Sequence, residues 1–403
     1  MTVVMLLVCF SSVVGASGAA ALSLPHFVKP LHTVWHKGTE LENQVIVKLV
    51  DDHAVLDEPP TNPELPAGRA AQQHAILSIG SLKLNAEPVF PAHRRRKLQA
   101  TGVSFDPLHL FFAIDAPDGN GASLCDQLNN DSSVEIAYLA PMPSELGLPT
   151  LTSSDDQRRK LQAIRRALAS KTELRRLLSP SFTHLQGYRG PAPNGFDFDV
   201  AEEYAAGLGA GITVADIERG ANIDHEDLGM QGAELINSMD QNGDWRHGTA
   251  VWGEIKGEHD SQGVRGGAVA VTPIVANVFD AENTYLGAAA VIAQAADLLQ
   301  AGDVILIEHQ YNIRDGNGEM NLGPVECKAA EWAAIRSAVD KGIVVVEAGG
   351  NGQLDLDAVQ DGRFKRGHPN FADSGAIMVG GGRHNQRTWV GSSFGSRIDV
   401  QGW

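Results

Sequence analysis

The stretch GITVADIERG, residues 211–220, begins with a near-continuous apolar run and ends on a glycine. Similar apolar runs follow at residues 268–278, 304–307, 343–346 and 376–379. Runs of this kind are typical of strands that are buried on both faces of a parallel sheet. Segments with helical periodicity lie between them, at residues 286–299 and 327–340. This order predicts an α/β fold, a doubly wound and mostly parallel sheet with helices on both faces and a site at the carboxyl ends of the strands.

Polar groups stand at the ends of three of these predicted elements. The first stretch holds Asp216 and Glu218 before Gly220. The second, RHGTAVWG at residues 246–253, places His247 at the start of a predicted helix. The third, GIVVVEAGGNG at residues 342–352, places Asn351 after a pair of glycines. A carboxylate, a histidine and an amide in this order are groups from which covalent acyl-transfer catalysis is built.

The order of these three motifs resembles the subtilisin-like serine peptidases. Two further segments are similar to that family: GVRG at residues 263–266 with Ala268 two positions later, and the apolar strand DVILI at residues 303–307. The resemblance extends from about Gly209 to the last residue, which is half of the chain. It implies a secreted serine endopeptidase that hydrolyses peptide bonds of a polypeptide substrate through a Ser, His and acid triad.

The resemblance implies a role for each candidate residue. His247 is the general base, and Asn351 donates its side-chain N–H to the developing oxyanion. Glu218 occupies the position of the family's aspartate, and its side chain is one methylene longer. It is preferred as the group that orients His247. Asp216 lies on the same face of the strand, about 6–7 Å further back, and is the alternative. Without the resemblance, His247 would be interpreted as a histidine satisfied by backbone groups and Asn351 as a turn residue.

Two departures from the family affect the substrate side of the site. Glu308-His309-Gln310 stands where the family shows Ser-Leu-Gly, and Glu347 replaces an alanine in the strand before Asn351. Glu308 and Glu347, at neighbouring strand ends, form either a proton-sharing pair with one raised pKa or two structural groups held by backbone N–H donors. The sequence leaves both interpretations open.

The family's nucleophile segment, Gly-Thr-Ser, occurs nowhere in the 403 residues. GSSFG at residues 391–395 matches the G-x-S-x-G pattern, but a predicted strand follows it instead of a helix, so the match is interpreted as accidental. The chain is therefore identified as a divergent member of the family that is truncated before the nucleophile segment, with the C-terminal part of the peptidase domain missing.

The rest of the chain is predicted to form three further segments before the peptidase domain at residues 201–403. Residues 1–20 are interpreted as a signal peptide because apolar residues 3–14 precede a run of small residues. Residues 40–143, with three β-branched runs, predict a small α+β domain, and the resemblance implies that it is a prodomain that inhibits the site. Residues 144–200 predict a basic helical linker, with eight Lys and Arg between residues 158 and 176, and the lead-in to the peptidase domain.

Composition excludes several classes of protein. The net charge is −17, and residues 201–403 hold 14 basic against 29 acidic side chains, so nucleic acid is not an expected partner. No transmembrane segment is predicted after the N-terminus. Cys125 and Cys327 are expected to be free thiols. No cofactor is expected to be required, since residues 240–244 fit a calcium loop only in part.

Three hypotheses for function follow from the sequence. The first is a secreted subtilisin-like endopeptidase precursor, and the second is an inactive pseudoprotease that binds or inhibits peptides. The third, a non-covalent carboxylate enzyme built on Glu308 and Glu347, is the least favoured. Retention of His247 and Asn351 favours the first.

Overall fold

The computed structural model describes two main parts of the chain. The first comprises residues 40–50, 75–90 and 107–142, except 117 and 118. The second comprises residues 180–403, except 205, 239–244 and 360. The structure also describes residues 27, 29, 30, 33, 56, 57, 144 and 145. The predicted signal peptide, most of the basic linker and the 240–244 loop lie outside the described residues.

An antiparallel sheet of six strands forms the first part. Its spatial order is β2-β3-β4-β5-β1-β6. Helix α1 (Gly121–Asn129) packs on β1 and β6 and buries Cys125 and Leu128 in the sheet's own core. The strands are β1 (Glu40–Leu49), β2 (Leu56–Asp57), β3 (Ala75–Ile79), β4 (Leu82–Pro88), β5 (Phe111–Asp115) and β6 (Val134–Pro141).

The three predicted strands of this region fall on β1, β5 and β6, with one difference at β5. The apolar run was expected to be extended from Leu108, but Pro107–Leu110 form a 3-10 turn and the strand begins at Phe111. Proline fixes the backbone for the first position of a helical turn and has no N–H to pair, which explains the difference.

A parallel sheet of seven strands forms the second part, and it confirms the predicted fold class. Its order is β16-β15-β14-β11-β8-β10-β9, so after β8 the chain forms the edge strand β9, returns to β10 beside β8, and then winds outward on the other side from β11 to β16. The strands are β8 (Thr213–Glu218), β9 (Glu234–Ile236), β10 (Thr272–Asn277), β11 (Val304–Ile307), β14 (Val344–Ala348), β15 (Ile377–Gly380) and β16 (Val400–Gln401).

Helices cover both faces of this sheet, as predicted. A four-residue helix α2 (Phe198–Ala201) precedes the sheet. Helix α3 (Arg246–Lys256) buries Val251, Trp252 and Ile255 on one face. Helices α4 (Ala288–Leu298) and α5 (Ala329–Asp340) pack against each other on the other face. Their many alanines permit this close approach.

The alternation of side chains along β8 decides which residues reach the site. Ala215 and Ile217 pack with α4 and α5, and Val214 packs with α3. Asp216 and Glu218 have the same parity as Val214 and therefore face α3. The strand thus directs both carboxyl groups toward the helix that begins at the candidate histidine.

A β-hairpin that was not predicted follows β11. Strands β12 (His309–Arg314) and β13 (Met320–Pro324) pair antiparallel, and the short strand β7 (Ser144–Glu145) pairs with the other edge of β12. The turn is DGNG at residues 315–318, in which the Asp315 carboxylate accepts from the backbone N–H of Asn317 and Glu319. Such a turn between two alternating segments is a hairpin signal that the sequence contained.

The two sheets are in contact through the start of α5. The hydroxyl of Tyr138 on β6 accepts from the backbone N–H of Ala330 at 3.1 Å. Lys328 lies 3.5 Å from Glu40 and 5.8 Å from the centroid of the Tyr138 ring. Apolar residues of both parts, including Ile136 and Trp332, belong to one continuous buried cluster.

A buried ion pair links the segment after β13 to the last residues of the parallel sheet. The guanidinium of Arg397 bonds Glu326 at 2.7 Å and Asp399 at 2.8 Å, and both Arg397 and Glu326 have no exposed side-chain surface. Removing one partner of such a pair leaves an uncompensated charge in a low-dielectric environment.

We expect Glu326→Ala to lower the free energy of unfolding by about 3–5 kcal/mol, because Arg397 remains buried after losing its two hydrogen bonds to Glu326. Urea denaturation of the chain measures this. Asp340→Ala is the matched control, since Asp340 forms an exposed pair with Arg336, and its cost should stay below about 0.5 kcal/mol. Equal losses in the two variants would contradict the interpretation.

Candidate active site

Glu218 is the last residue of β8 and is almost completely buried. The strand ends there because Gly220 adopts a positive φ of 105°, a conformation that side-chain-bearing residues avoid. The carboxylate consequently lies at the carboxyl end of an interior strand of the sheet, where ligand sites of doubly wound sheets are found.

His247 lies in the first turn of α3, and its ring contacts Glu218. The ring Nδ1 donates to Oε2 of Glu218 at 2.8 Å, and 14% of the histidine side chain is exposed. A carboxylate on Nδ1 fixes the tautomer in which Nε2 is the basic nitrogen. Of the two carboxylates considered from the sequence, Glu218 makes the bond to His247.

Gly248 allows the start of α3 to approach β8 this closely. A Cβ atom at residue 248 would lie 2.4 Å from Oε1 of Glu218 and 2.3 Å from the carbonyl oxygen of Gly220. Thr249 fixes the same junction, since its hydroxyl donates to the carbonyl of Trp245 at 2.6 Å and accepts from the N–H of Asn222 at 2.9 Å. The contact between Glu218 and His247 therefore depends on the absence of a side chain at residue 248.

Asp216 lies behind Glu218 on the same face of β8 and is completely buried. Burial raises the pKa of its carboxyl well above the usual range, and the negative charges of Glu218 and Glu308 add to that shift. The His247 ring opposes it. Asp216 therefore belongs to the surroundings of the Glu218–His247 pair and lies further from the His247 ring than Glu218 does.

Two more buried carboxyl groups surround the same histidine. Glu254 lies on α3, two turns after His247, and Glu308 directly follows β11. Burial, together with the charge of Glu308, raises the pKa of Glu254 to about 7, while His247 opposes the shift. Glu254 was not singled out from the sequence, although its spacing of seven residues from His247 places both on one face of the helix.

Glu308 and Glu347 do not form the proton-sharing pair that the sequence left open. Glu347 is in register with Ile307, so it faces α4 and α5, whereas Glu308 belongs to the side of Asp216. Oε1 of Glu347 accepts from the backbone N–H of Glu326 at 3.0 Å. Burial and the charge of Glu326 raise the pKa of Glu347. Glu347 therefore matches the other interpretation, a structural group held by a backbone donor.

Asn351 follows β14 in a turn that packs directly on the hairpin. Its backbone N–H donates to Oε1 of Gln310, a buried β12 residue, at 2.9 Å. A Cβ at Gly350 would lie 2.5 Å from Cα of Gly323, and one at Gly352 would lie 2.3 Å from the backbone of Leu322. The missing side chains at these positions let the turn rest against β13 and fix the location of Asn351.

The two serines of the GSSFG match are buried structural residues. The Ser392 hydroxyl donates to the carbonyl of Ser393 and accepts from Gly381 N–H, both at 2.8 Å. The Ser393 hydroxyl donates to the carbonyl of Leu322 at 3.1 Å. No helix follows them in the described residues 396–403, which agrees with the interpretation of this match as accidental.

Three other features bear on the sequence predictions. Cys125 and Cys327 are free thiols, as expected. Within the described part of the chain, no group of three or more His, Cys, Asp and Glu side chains could hold a metal ion. No helix in that part is both long enough and apolar enough to cross a membrane.

The solved structures to which this chain is similar are subtilisin-like serine proteases. Fervidolysin from Fervidobacterium pennivorans is 17% identical, with 96% of this chain and 51% of that one covered and a TM-score of 0.44. EpiP of Staphylococcus aureus, an epidermin leader peptide processing serine protease, is 16% identical, with coverage of 77% and 72% and a TM-score of 0.43. A cold-adapted subtilisin-like serine proteinase is 21% identical, with coverage of 48% and 63% and a TM-score of 0.34.

The matched region spans 63% of the length of the cold-adapted proteinase and 51% of that of fervidolysin. No protein-family model matches it. No curated protein matches its sequence. The assignment of individual site residues consequently depends on the contacts within this chain.

We expect Gly248→Ala to lower the free energy of unfolding by about 1–3 kcal/mol, because the new methyl group must displace the Glu218 carboxylate or the helix start. The variant should also lose the bond between Glu218 and His247, which is measured from the downfield Nδ1 proton by NMR. Gly253→Ala is the matched control on the same helix, since its Cβ would lie 3.4 Å from the nearest atom. Gly253→Ala should keep the Nδ1 proton signal, and its free energy of unfolding should rise by up to about 1 kcal/mol.

Glu254 should make stability depend on pH. Its pKa is about 7 in the folded chain against 4.5 in the unfolded one, so the stability that it contributes is full below about pH 4.5 and is lost as pH rises through about 7. Relative to the parent, Glu254→Gln should therefore gain stability over this interval and hold that gain above it. Urea denaturation at about pH 5, 6, 7 and 8 measures the difference. Glu203→Gln, at an exposed position, should leave the dependence of the free energy of unfolding on pH nearly unchanged.

Proposed function

We propose that this chain is the part of a secreted subtilisin-like serine endopeptidase precursor that carries the acid, the general base and the oxyanion donor. The observation that carries the proposal is the 2.8 Å bond between Nδ1 of His247 and the buried Glu218. This bond lies at the carboxyl end of an interior strand, β8, of a doubly wound sheet, the edge at which such sheets bind ligands.

The proposed roles follow from the chemistry of peptide-bond hydrolysis. His247 takes the proton of a serine hydroxyl and returns it to the leaving amine, while Glu218 holds the ring and stabilises the imidazolium that forms. Asn351 donates its side-chain N–H to the oxyanion of the tetrahedral intermediate. The rigid support of its turn by Gln310 and β13 favours such a role, since an oxyanion donor must be in place before the reaction.

The segment that holds the family's nucleophile does not occur in this sequence. The 403 residues contain no Gly-Thr-Ser, and Ser392 and Ser393 are buried in structural hydrogen bonds. Covalent catalysis requires an activated hydroxyl next to the base. The proposal therefore assigns the nucleophile to sequence outside these residues.

The N-terminal α+β unit is proposed to act as an intramolecular inhibitor. Ser144 and Glu145, which follow its last strand, pair antiparallel with Gln310 and His309. An extended peptide substrate that bound along β12 would use the same backbone groups. Secretion belongs to the same proposal and rests on the apolar residues 3–14 and the small residues that follow.

The test joins the chain to the sequence encoded downstream of Trp403 and treats the product with a serine-directed fluorophosphonate. We expect one serine beyond Trp403 to be labelled and peptide substrates to be cleaved. Glu218→Gln should lower kcat by about 10⁴-fold and Asn351→Ala by about 10²–10³-fold, with smaller effects on KM. Glu203→Gln should behave as the parent.

The outcome that overturns the proposal is a transcript with a stop directly after Trp403, together with a folded chain that binds peptides without cleaving them. That result would establish the pseudoprotease. A labelled serine whose reactivity is unchanged by His247→Ala would also overturn the assigned roles, because the base would then not activate it.

A further inference from the structure

Asp216 is buried in a position where an ionised carboxylate is not solvated. Its side chain has no exposed surface. Among the described residues, neither of its oxygens accepts a hydrogen bond from an N–H or O–H group. A buried carboxylate without donors carries a large desolvation cost, so the neutral acid is the stable form. The burial-driven rise in the pKa of Asp216 agrees with this conclusion.

The neutral acid carries a proton that needs an acceptor, and Glu218 is within its reach. The two residues are two positions apart on β8, so their side chains lie on one face of the strand. The charge of Glu218 and a side-chain hydrogen bond with it both raise the pKa of Asp216, which agrees with two neighbouring carboxyl groups on that face. The other titratable groups that face Asp216 are Glu308, after the neighbouring strand β11, and His247, on α3. Of these, Glu218 carries the charge that is bonded to His247.

We propose that Asp216 is a positioning residue, whose protonated carboxyl donates a hydrogen bond to Glu218 and thereby holds that carboxylate against His247. The inference rests on the proposed function of His247 as the general base. It departs from the alternative drawn from the sequence, in which Asp216 itself orients the histidine. The three groups instead form a linear series from Asp216 through Glu218 to Nδ1 of His247.

A physical need for such a residue comes from the length of glutamate. Its carboxylate is separated from the backbone by one more rotatable bond than that of aspartate, so more conformations must be excluded to fix it. Gly248 closes the space on one side of Oε1. A donor from Asp216 on the strand side restricts the remaining freedom with a charge-assisted hydrogen bond.

The test uses the 403-residue chain with isotopically labelled histidine and follows the His247 ring by NMR. Asp216→Asn retains a donor, and we expect it to keep the downfield Nδ1 proton and the pH at which the ring titrates. Asp216→Leu removes the donor and should lose or shift that proton. Val275→Ala, at a buried position opposite Asp216 on β10, is the control for a cavity in the same layer and should leave the signal in place.

Two results would overturn the inference. An unchanged Nδ1 proton in Asp216→Leu would show that the donor has no role. A titration midpoint that falls by about one pH unit in Asp216→Asn would show that the native residue is ionised, because a negative charge near the ring was then removed.

A second measurement covers the case in which Asp216→Leu does not fold. The infrared difference spectrum between the parent and Asp216→Asn should contain the C=O stretch of a protonated carboxylic acid at a pH above the titration of Glu254, and a carboxylate band there would overturn the inference. None of these readouts needs turnover. If the chain joined to its downstream sequence fails to hydrolyse peptides, the proposed function is refuted and the positioning role of Asp216 is unaffected. If the NMR or infrared result fails, the positioning role is refuted and the proposed function is unaffected.

Discussion

The hydrogen bond between Glu218 and His247 joins the interior strand β8 of the parallel sheet to the helix that covers one of its faces. Its position follows from the period of two along β8, which sends Ala215 and Ile217 into the core beneath α4 and α5 and turns the carboxyl groups toward α3. A shift of one residue in the register of β8 would bury both carboxylates among apolar helices. The neighbouring strands β10 and β11 fix that register by parallel pairing along its whole length.

A glutamate at this position has consequences for everything around it. The longer side chain fills the space under the start of α3, so residue 248 has no room for a Cβ atom. The carboxyl groups of Glu254 and Glu308 lie near the same ring, and a low-dielectric site cannot hold so many negative charges at once. Protonation of some of them is the way in which the site remains stable. The acid–base behaviour of the candidate site therefore belongs to the cluster as a whole.

The sequence predicted the strands of the parallel sheet well, because a strand buried on both faces must be apolar along its length, as Val304–Ile307 shows. The pairing of Glu218 with His247 came from the family resemblance, because Glu218 occupies the position of the family's aspartate, and the structure brings the two side chains together. The hairpin was missed because Glu308-His309-Gln310 was interpreted as a substitution in a known loop, while the DGNG turn was not used. Glu347 was misplaced for a related reason. Its parity in β14 directs it to the face opposite Glu308, and only the register shows this.

The hairpin contributes to the site through backbone contacts more than through side chains. Gly350 and Gly352 rest on Leu322 and Gly323 at distances that no Cβ would allow. Gln310 reaches from β12 to the N–H of Asn351. A turn held in this way on one side by a neighbouring strand loses little entropy when a ligand binds, because its conformation is already selected. The same β12 that supports Asn351 also pairs with Ser144 and Glu145. The segment proposed to compete with a substrate and the turn of the proposed oxyanion donor therefore both contact this one strand.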